Sequence, residues 1–410
     1  MLVIATDDDS NLKWSLVLVS NARDTKCDDR NGDDSARIMH VGERVRSTSD
    51  AANPMSPTFD RTEAFCRRFG LQVPILLAPM AGVSSPSLSI AVANAGGLGS
   101  CGALLMQPDE IIAWAAEVRA NSNGAFNLNL WIPDPPPTRD AVHEARVREF
   151  LAGWGPTVPP EAGDATPPDF AAQCEALLAA RPPIVSSVMG LYPPEFVARL
   201  KQSSIFWFAN ISTVAEARAA EAAGADVIVV QGMEAGGHRG CFDATLAERQ
   251  QVGLFALLPT VVDSVQVPVV ATGGIADARG IAAALTLGAS AAQIGTGFLR
   301  CPEAKIHPAW ADALGKTAPE GSIVSRAFSG RAGRSIATDY VIAAISPGAP
   351  RPAPYPVQRL LTAAMRSAGQ KAGDVHRMQA WGGQSAGLAR PEPAAELVRQ
   401  FWTEAQTLLA

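Results

Sequence analysis

Eight short apolar runs recur along the sequence, and helix-forming segments separate most of them. The runs lie near residues 75, 99, 127, 185, 206, 228, 269 and 292. An uninterrupted β-branched run, such as residues 227–230, is typical of a strand buried on both faces of a parallel sheet. Eight such strands alternating with helices predict an α/β fold, the (β/α)8 or TIM barrel. A doubly wound open sheet is the alternative, which the lack of Gly-x-Gly-x-x-Gly in the first strand–helix turn disfavours.

Three regions depart from this alternation. Residues 1–57 are polar and rich in aspartate, which predicts a disordered extension, and Met55 is an alternative translation start. Residues 58–410 are predicted to form one barrel domain. An insertion after the third strand, residues 133–183, is proline-rich and is expected to form a lid or active-site wall, or else a surface decoration. Residues 302–410 form a C-terminal tail with two expected helices, long enough to fold over the barrel mouth.

Charge and cysteine content exclude several classes of function. The formal net charge is -6 and no Lys/Arg-rich tract exists, so neither nucleic acid nor an anionic membrane surface is an expected partner. The six cysteines show no Cys-x-x-Cys spacing, which favours idle thiols in a cytoplasmic protein over disulfides or a metal site. No apolar run approaches the ~20 residues of a membrane span. We expect a monomer or a homodimer that acts on a small molecule.

Glycine turns end the last two predicted strands. Gly273 and Gly274 follow the seventh strand, and Gly295 and Thr296 follow the eighth. Glycines at these positions expose backbone N–H groups, and Asp277 is a natural N-cap for the next helix. The same two loops are a recurrent phosphate site in barrels of this kind. The pattern predicts a phosphorylated cofactor with an aromatic ring, such as FMN, although a pair of tight turns is the alternative.

Polar residues at other strand ends fit the ring of such a cofactor. Asn129 and Gln231 lie in otherwise apolar strands, where an unpaired amide costs about 1–3 kcal/mol. Both are candidates for hydrogen bonds to the ring edge, or else for a core network between them. Ala78, Pro79 and Met80 form a small, flat ledge at the end of the first strand.

His238 is the candidate for catalysis. It follows Gln231 by seven residues, beyond two glycines, in a loop predicted to be flexible and followed by a helix from residue 245 to 258. A histidine there is suited to act as a general base, because its usual pKa is near neutrality; a surface histidine is the alternative. The other four histidines lie outside any such context, and no residue cluster suggests a metal or a serine hydrolase.

Six motifs together resemble the nitronate monooxygenases, formerly grouped with the 2-nitropropane dioxygenases. They are APMAG at residues 78–82, NLW at 129–131, GGHRG at 236–240, ATGGI at 271–275, QIGT at 293–296 and WGGQSAGLARP at 381–391. The resemblance covers residues 61–410 and implies a TIM barrel with non-covalently bound FMN. Carried over by position, the implied cofactor contacts are Ala78, Pro79, Met80, Asn129, Gln231, Gly236, Gly237, Gly273, Gly274, Gln293, Ile294, Gly295 and Thr296.

The resemblance also implies the chemistry. Members of the family oxidise alkyl nitronates, propionate 3-nitronate among them, with O2 to a carbonyl compound and nitrite, by one-electron transfer to the flavin. His238 matches the active-site histidine, which would orient or charge-match the anion and act as base toward a neutral nitroalkane. Arg239 would add positive potential or lie in solvent. Flavin-dependent enoyl-acyl-carrier-protein reductases and NAD(P)H:quinone reductases of the same superfamily remain alternatives, as does a non-catalytic barrel that binds a phosphorylated ligand.

Overall fold

The computed structural model describes residues 57–83, 85–164 and 166–410. The predicted disordered extension, with the alternative start at Met55, lies outside these residues except for Pro57, which begins the first helix. Residues 57–410 belong to one compact unit.

Eight parallel strands form the central sheet, and three short strands form a second one. The order in the large sheet is β1-β9-β8-β6-β5-β4-β3-β2. A parallel bridge between Leu76 and Leu98 joins the first strand to the second and closes the barrel. The prediction of a TIM barrel is therefore confirmed. The strands are β1 Ile75–Leu77, β2 Gly99–Gly102, β3 Phe126–Trp131, β4 Ile184–Val188, β5 Phe206–Ile211, β6 Val227–Gln231, β7 Gly237–His238, β8 Val269–Thr272, β9 Ala291–Ile294, β10 Ser322–Ser325 and β11 Gly333–Ile336.

The α-helices of the described chain surround the barrel and build the tail. Their starts follow local capping: Ser85, Asp169 and Asp277 each accept a hydrogen bond from a backbone N–H of the first turn. The helices are α1 Pro57–Phe69, α2 Pro86–Asn94, α3 Pro108–Asn121, α4 Ala141–Ala152, α5 Phe170–Ala180, α6 Pro194–Gln202, α7 Val214–Ala222, α8 Leu254–Val262, α9 Ala278–Thr286, α10 Pro308–Lys316, α11 Asp339–Ile345, α12 Val357–Leu361, α13 Ala363–Ala372 and α14 Ala394–Leu409. None of them is long and apolar enough to cross a membrane.

Aromatic side chains close the end of the barrel where the strands begin. Phe65 and Phe69 of α1 pack against Phe206 and Phe208 of β5, with ring centroids 5.0 to 6.3 Å apart. These rings share a buried cluster with inward-facing residues of β1, β6 and β8. Because this end is filled, the open space of the barrel lies at the carboxyl ends of the strands.

The prediction of a helix from residue 245 to 258 is wrong in its bounds. Residues 244–249 form turns, and α8 begins only at Leu254. The side chain of Asp243 accepts hydrogen bonds from the backbone N–H and hydroxyl of Thr245, which favours a local turn over a helix. The carboxylate of Glu234 binds the backbone N–H of Leu254, so a residue from a different loop fixes the start of α8.

The insertion is divided between the barrel and the tail, and the tail contains more elements than expected. Helix α5 packs against α3 and α6, so it belongs to the outer ring of the barrel. Helix α4 packs instead against the tail, through a buried cluster that includes Val147, Leu151, Phe328, Tyr340 and Leu361. The tail has five α-helices and two strands where two helices were expected, and its last helix, α14, packs on α2 and α9 beside the barrel.

The closure of the barrel generates a first prediction. A Cβ on Gly97 would lie 2.5 Å from the carbonyl oxygen of Ile75, beside the bridge between Leu76 and Leu98. Gly97→Ala should therefore lower the free energy of unfolding by about 1–3 kcal/mol, as overpacking does. Urea unfolding measures it. Gly153→Ala is the control, because its Cβ would come no closer than 3.5 Å to another atom; equal stability of the two variants would contradict the prediction.

Candidate active site

One cavity at the carboxyl ends of the barrel strands brings together His238 and all but one of the predicted cofactor contacts. Loops after the strands form its floor, and the tail contributes Tyr355, Arg359, Trp381 and Gly383 to its wall. No residue of the insertion lines it among the described residues. The predicted contacts that line it are Ala78, Pro79, Met80, Asn129, Gln231, Gly236, Gly237, Gly273, Gly274, Gln293, Gly295 and Thr296.

Ile294 is the exception. Its side chain is fully buried in the main hydrophobic core, outside the cavity. Side chains alternate along a strand, so the neighbour of the cavity-lining Gln293 must point to the other face. Ile294 contributes only its carbonyl oxygen, which accepts a hydrogen bond from the backbone N–H of Ala78.

Glycines bring three backbone segments into close contact at one end of the cavity. A Cβ on Gly236 would lie 2.6 Å from the backbone nitrogen of Gly383, and one on Gly383 would lie 2.7 Å from the carbonyl oxygen of Glu234. The hydroxyl of Thr296 accepts a hydrogen bond of 3.0 Å from the N–H of Gly383. Gly274 has a φ of 72°, a left-handed conformation that favours glycine. We call these loops the glycine cradle: residues 236–237, 273–274, 295–296 and 383.

The glycine cradle is suited to an anion. No acceptor among the described residues takes up the backbone N–H groups of Gly274, Gly295 or Thr296. Converging backbone N–H groups near the start of a helix are the usual protein site for a phosphate. The cradle therefore fits the phosphate of a cofactor, and any side chain at Gly236 or Gly383 would collide with the neighbouring backbone that shapes it.

Asn129 and Gln231, the two strand amides expected to bind the cofactor ring, already make hydrogen bonds within the protein. Asn129 donates to the hydroxyl of Ser186 at 2.9 Å. Gln231 donates to the carbonyl of His238 at 3.1 Å and accepts from the N–H of Gly240 at 2.7 Å. Gln231 thus holds the His238 loop against β6, and the alternative of a core network between Asn129 and Gln231 is wrong. The buried Oδ1 of Asn210, which also lines the cavity, has no partner among the described residues.

His238 lies in a strand and not in a flexible loop. It pairs with Gly333 in the antiparallel ladder between β7 and β11, which places FSGRAGRS, residues 328–335, behind the active-site loop. The rings of Trp131 and Trp381 lie edge-on to the imidazole, with centroids 4.6 and 4.7 Å away. The backbone and both ring faces therefore fix the orientation of this side chain.

Ser329 is the hydrogen-bond partner of His238. The Nε2 atom of the histidine lies 2.8 Å from the hydroxyl oxygen of Ser329. That hydroxyl also lies 3.0 Å from the carbonyl oxygen of Arg331, which can take up its single proton. In that arrangement the hydroxyl accepts from Nε2–H, and Nδ1 keeps its lone pair as a proton acceptor.

His238 is a neutral residue in this site. Burial, together with the smaller effect of the positive charges of Arg331 and Arg359, lowers its pKa to about 3. A role as proton acceptor is compatible with this neutral state and with the geometry. Of the two expectations for Arg239, a position in solvent is wrong, because its side chain is buried and donates to the carbonyl of Gly232 at 2.7 Å.

Several residues that surround His238 were not found from the sequence. Trp131, Ser329, Tyr355, Arg359 and Trp381 come from β3 and from the tail. Trp131 and Trp381 lie in two of the motifs described above, NLW and WGGQSAGLARP, so the motifs were the available signal for them. Tyr355 and Arg359 follow a proline-rich loop without such a signal. Among the described residues, no group of three or more His, Cys, Asp or Glu side chains could hold a metal.

A closed barrel with an anion cradle and a buried neutral histidine in one cavity defines a TIM-barrel enzyme with its site at the strand ends. The family model of nitronate monooxygenase matches residues 63–404. The chain therefore belongs to the nitronate monooxygenase family and is an oxidoreductase.

Known proteins agree with this assignment in sequence and in structure. The chain is 40% identical over 341 residues to a nitronate monooxygenase of Paraburkholderia phytofirmans, covering 82% of this chain and 93% of the relative. It is 37% identical to a nitronate monooxygenase of Pseudomonas aeruginosa, covering 84% and 99%. A nitroalkane oxidase from Streptomyces ansochromogenes superposes with a TM-score of 0.75 at 36% identity, covering 85% and 100%. FabK from Thermotoga maritima gives 0.65 at 26% identity, covering 84% and 96%.

The buried histidine generates a prediction about stability and pH. Unfolded histidine titrates near ~6.5, whereas His238 in the folded protein titrates at about 3. Between these values the unfolded chain binds a proton that the folded protein does not, so stability falls as pH falls. His238→Asn lacks the titrating imidazole, so its free energy of unfolding should depend less on pH. The difference in free energy of unfolding between wild type and variant should therefore change by about 1 kcal/mol per pH unit below ~6.5. Urea unfolding at pH 7, 6 and 5 measures it; a constant difference would contradict it.

Proposed function

We propose that this chain binds FMN and oxidises alkyl nitronates, propionate 3-nitronate or a similar compound, with O2 to a carbonyl compound and nitrite. The observation that carries the proposal is the shared cavity of the glycine cradle and the neutral His238. Membership of the nitronate monooxygenase family supports the reaction class.

The residues of the cavity divide between the two ends of such a cofactor. The glycine cradle would hold the phosphate through the N–H groups of Gly274, Gly295 and Thr296. The ledge of Ala78, Pro79 and Met80, together with Asn129, would hold the ring. When bound, FMN would supply the electron acceptor for the substrate and the donor for O2.

His238 favours a substrate that has already lost its proton. An imidazole with a pKa of about 3 is a weak base, so it has little driving force for removing a proton from carbon. A nitronate needs no such step, whereas a neutral nitroalkane must give its proton to Nδ1, the ring nitrogen that Ser329 leaves unprotonated. The charge of Arg359, which lines the cavity, attracts the anion. We therefore infer that nitronates are better substrates than the parent nitroalkanes.

Anaerobic mixing tests the proposal directly. The FMN-loaded protein is mixed with propionate 3-nitronate, NADH and NADPH in separate experiments, and the flavin absorbance is followed. Reduction by the nitronate alone supports nitronate oxidation. Rapid bleaching by NADH or NADPH would favour the reductase alternatives, and a protein that cannot be loaded with FMN would remove every flavin-dependent function.

Replacement of His238 separates its role in proton transfer from a role in cofactor binding. His238→Asn should still bind FMN, because the cradle is made of other residues. Turnover of a neutral nitroalkane should fall by about 10²-fold or more, as loss of a general base does, and turnover of its nitronate by less than about tenfold. Steady-state oxygen consumption with both forms of one substrate measures this. Unchanged turnover of both forms would show that His238 has no catalytic role.

The glycine cradle can be tested with a matched pair of glycines. Gly274 and Gly70 have φ values of 72° and 69°, so alanine strains both positions alike, but only Gly274 lines the cavity. Gly274→Ala should raise the Kd of FMN by about tenfold or more, since it displaces an N–H group of the cradle. Gly70→Ala should cost similar stability and leave the Kd unchanged. Fluorescence titration with FMN measures both, and an equal effect on the Kd would refute the cradle.

A further inference from the structure

Arg331 lies buried behind the active-site loop and joins this loop to the insertion. Its side chain is 1% exposed and does not line the cavity. The guanidinium forms an ion pair with Asp134, at the start of the insertion, and donates to the carbonyl of Cys241 at 2.7 Å. Cys241 follows His238 by three residues. The side chain of Arg331 therefore ties the end of the loop to the segment that follows β3.

The main chain of Arg331 holds Ser329, the hydrogen-bond partner of His238. Its N–H donates to the hydroxyl oxygen of Ser329 at 3.3 Å, and its carbonyl oxygen lies 3.0 Å from the same hydroxyl. Two residues further along the chain, Gly333 pairs with His238 in the ladder between β7 and β11. Arg331 is thus connected to the histidine both through Ser329 and through the ladder.

These contacts decide where the proton of the neutral imidazole lies. Burial, with a smaller effect of two arginines, lowers the pKa of His238 to about 3, so the ring carries one proton, on Nδ1 or on Nε2. No other donor among the described residues reaches the carbonyl oxygen of Arg331. If Ser329 donated to Nε2, this buried carbonyl would be left unpaired, which is unfavourable. The arrangement therefore favours the proton on Nε2.

The ion pair with Asp134 keeps Arg331 in place. A buried guanidinium without a counterion is strongly unfavourable, and Asp134 is the acidic partner of Arg331 within the described chain. The side chain of Asp134 is 24% exposed, and neither residue of the pair lines the active-site cavity. Loss of the Asp134 charge would therefore act on His238 through Arg331 and Ser329.

We propose that the Asp134–Arg331 ion pair positions His238 for proton transfer. Through Ser329 the pair keeps the proton on Nε2 and leaves the lone pair of Nδ1 free to accept a proton from the substrate. This inference rests on the proposed function. In the step concerned, a C–H bond of the neutral nitroalkane breaks, its proton forms an N–H bond at Nδ1, and the electron pair stays on the nitronate. A nitronate needs no such step, so the pair should matter for the neutral form and little for the anion.

Variants of the pair test the inference in steady-state kinetics with nitroethane and its nitronate. Arg331→Met should lower turnover of nitroethane about 10- to 100-fold, as small displacements of catalytic groups do, and turnover of the nitronate less than about threefold. The primary isotope effect with nitroethane deuterated at its reacting carbon should rise, because proton transfer becomes slower relative to the other steps. Asp134→Asn keeps the shape of the side chain and should show the same pattern with a smaller loss. Arg331→Lys should recover part of the loss.

A control separates positioning from general support of the fold. Arg139→Met breaks another arginine–carboxylate pair of the insertion, with Glu144, outside the cavity, and should alter turnover of neither compound. Fluorescence titration should give the same Kd of FMN for wild type and all variants. Equal losses for both compounds would make the pair a general support, and unchanged turnover of nitroethane would remove its role; either overturns the inference. If Arg331→Met does not fold, Asp134→Asn decides between these outcomes.

NMR of the FMN-loaded protein with 15N-labelled histidine tests the positioning without turnover. The protonated and unprotonated ring nitrogens of a neutral imidazole differ in chemical shift, and the signals of His238 are those that His238→Asn lacks. Wild type should show the Nε2–H form, and Asp134→Asn a mixture of the two forms. The Nδ1–H form in wild type, or an identical form in wild type and variants, would overturn the inference. If wild type oxidises neither compound, the proposed function fails, and this measurement still decides what the ion pair holds.

Discussion

The pairing of β7 with β11 is the interaction on which the site depends. Two residues of the loop after β6, Gly237 and His238, join Gly333 and Arg334 of the tail in an antiparallel ladder. The N–H of Arg239 extends it by binding the carbonyl of Ala332 at 2.9 Å. A glycine-rich loop alone would leave these backbone groups unpaired and the histidine free to rotate. The tail thus converts a loop of the barrel into a fixed part of the active site.

This pairing also determines the electrostatic character of the site. It places His238 between two indole rings and against Ser329, where the protonated imidazole loses hydration and gains no counterion. The histidine therefore stays neutral, while the arginines of the tail supply the positive charge. A neutral histidine next to charged arginines suits an anionic substrate. The guanidinium charges attract the anion, and they do not depend on pH in the physiological range.

The sequence predicted the features that depend on neighbouring residues. The eight barrel strands could be predicted because each is a short apolar run. Gly273 and Gly274 could be predicted as site residues because they follow the end of such a run. Ile294 does not line the cavity, because alternation along β9 turns its side chain into the core although it stands beside Gln293. Ser329 and Arg359 could not be placed, because their contacts with the cavity depend on how the tail folds back, which no local pattern encodes.

The insertion influences the site without entering it. Helix α4 buries Val147 and Leu151 in the same cluster as Val357 and Leu361, the anchors of the short helix that carries Arg359. At its start, Asp134 pairs with the buried Arg331, next to the residues that hold His238. A well-packed interior transmits small displacements. Changes in the insertion can therefore move Arg359 while every residue that lines the cavity stays the same.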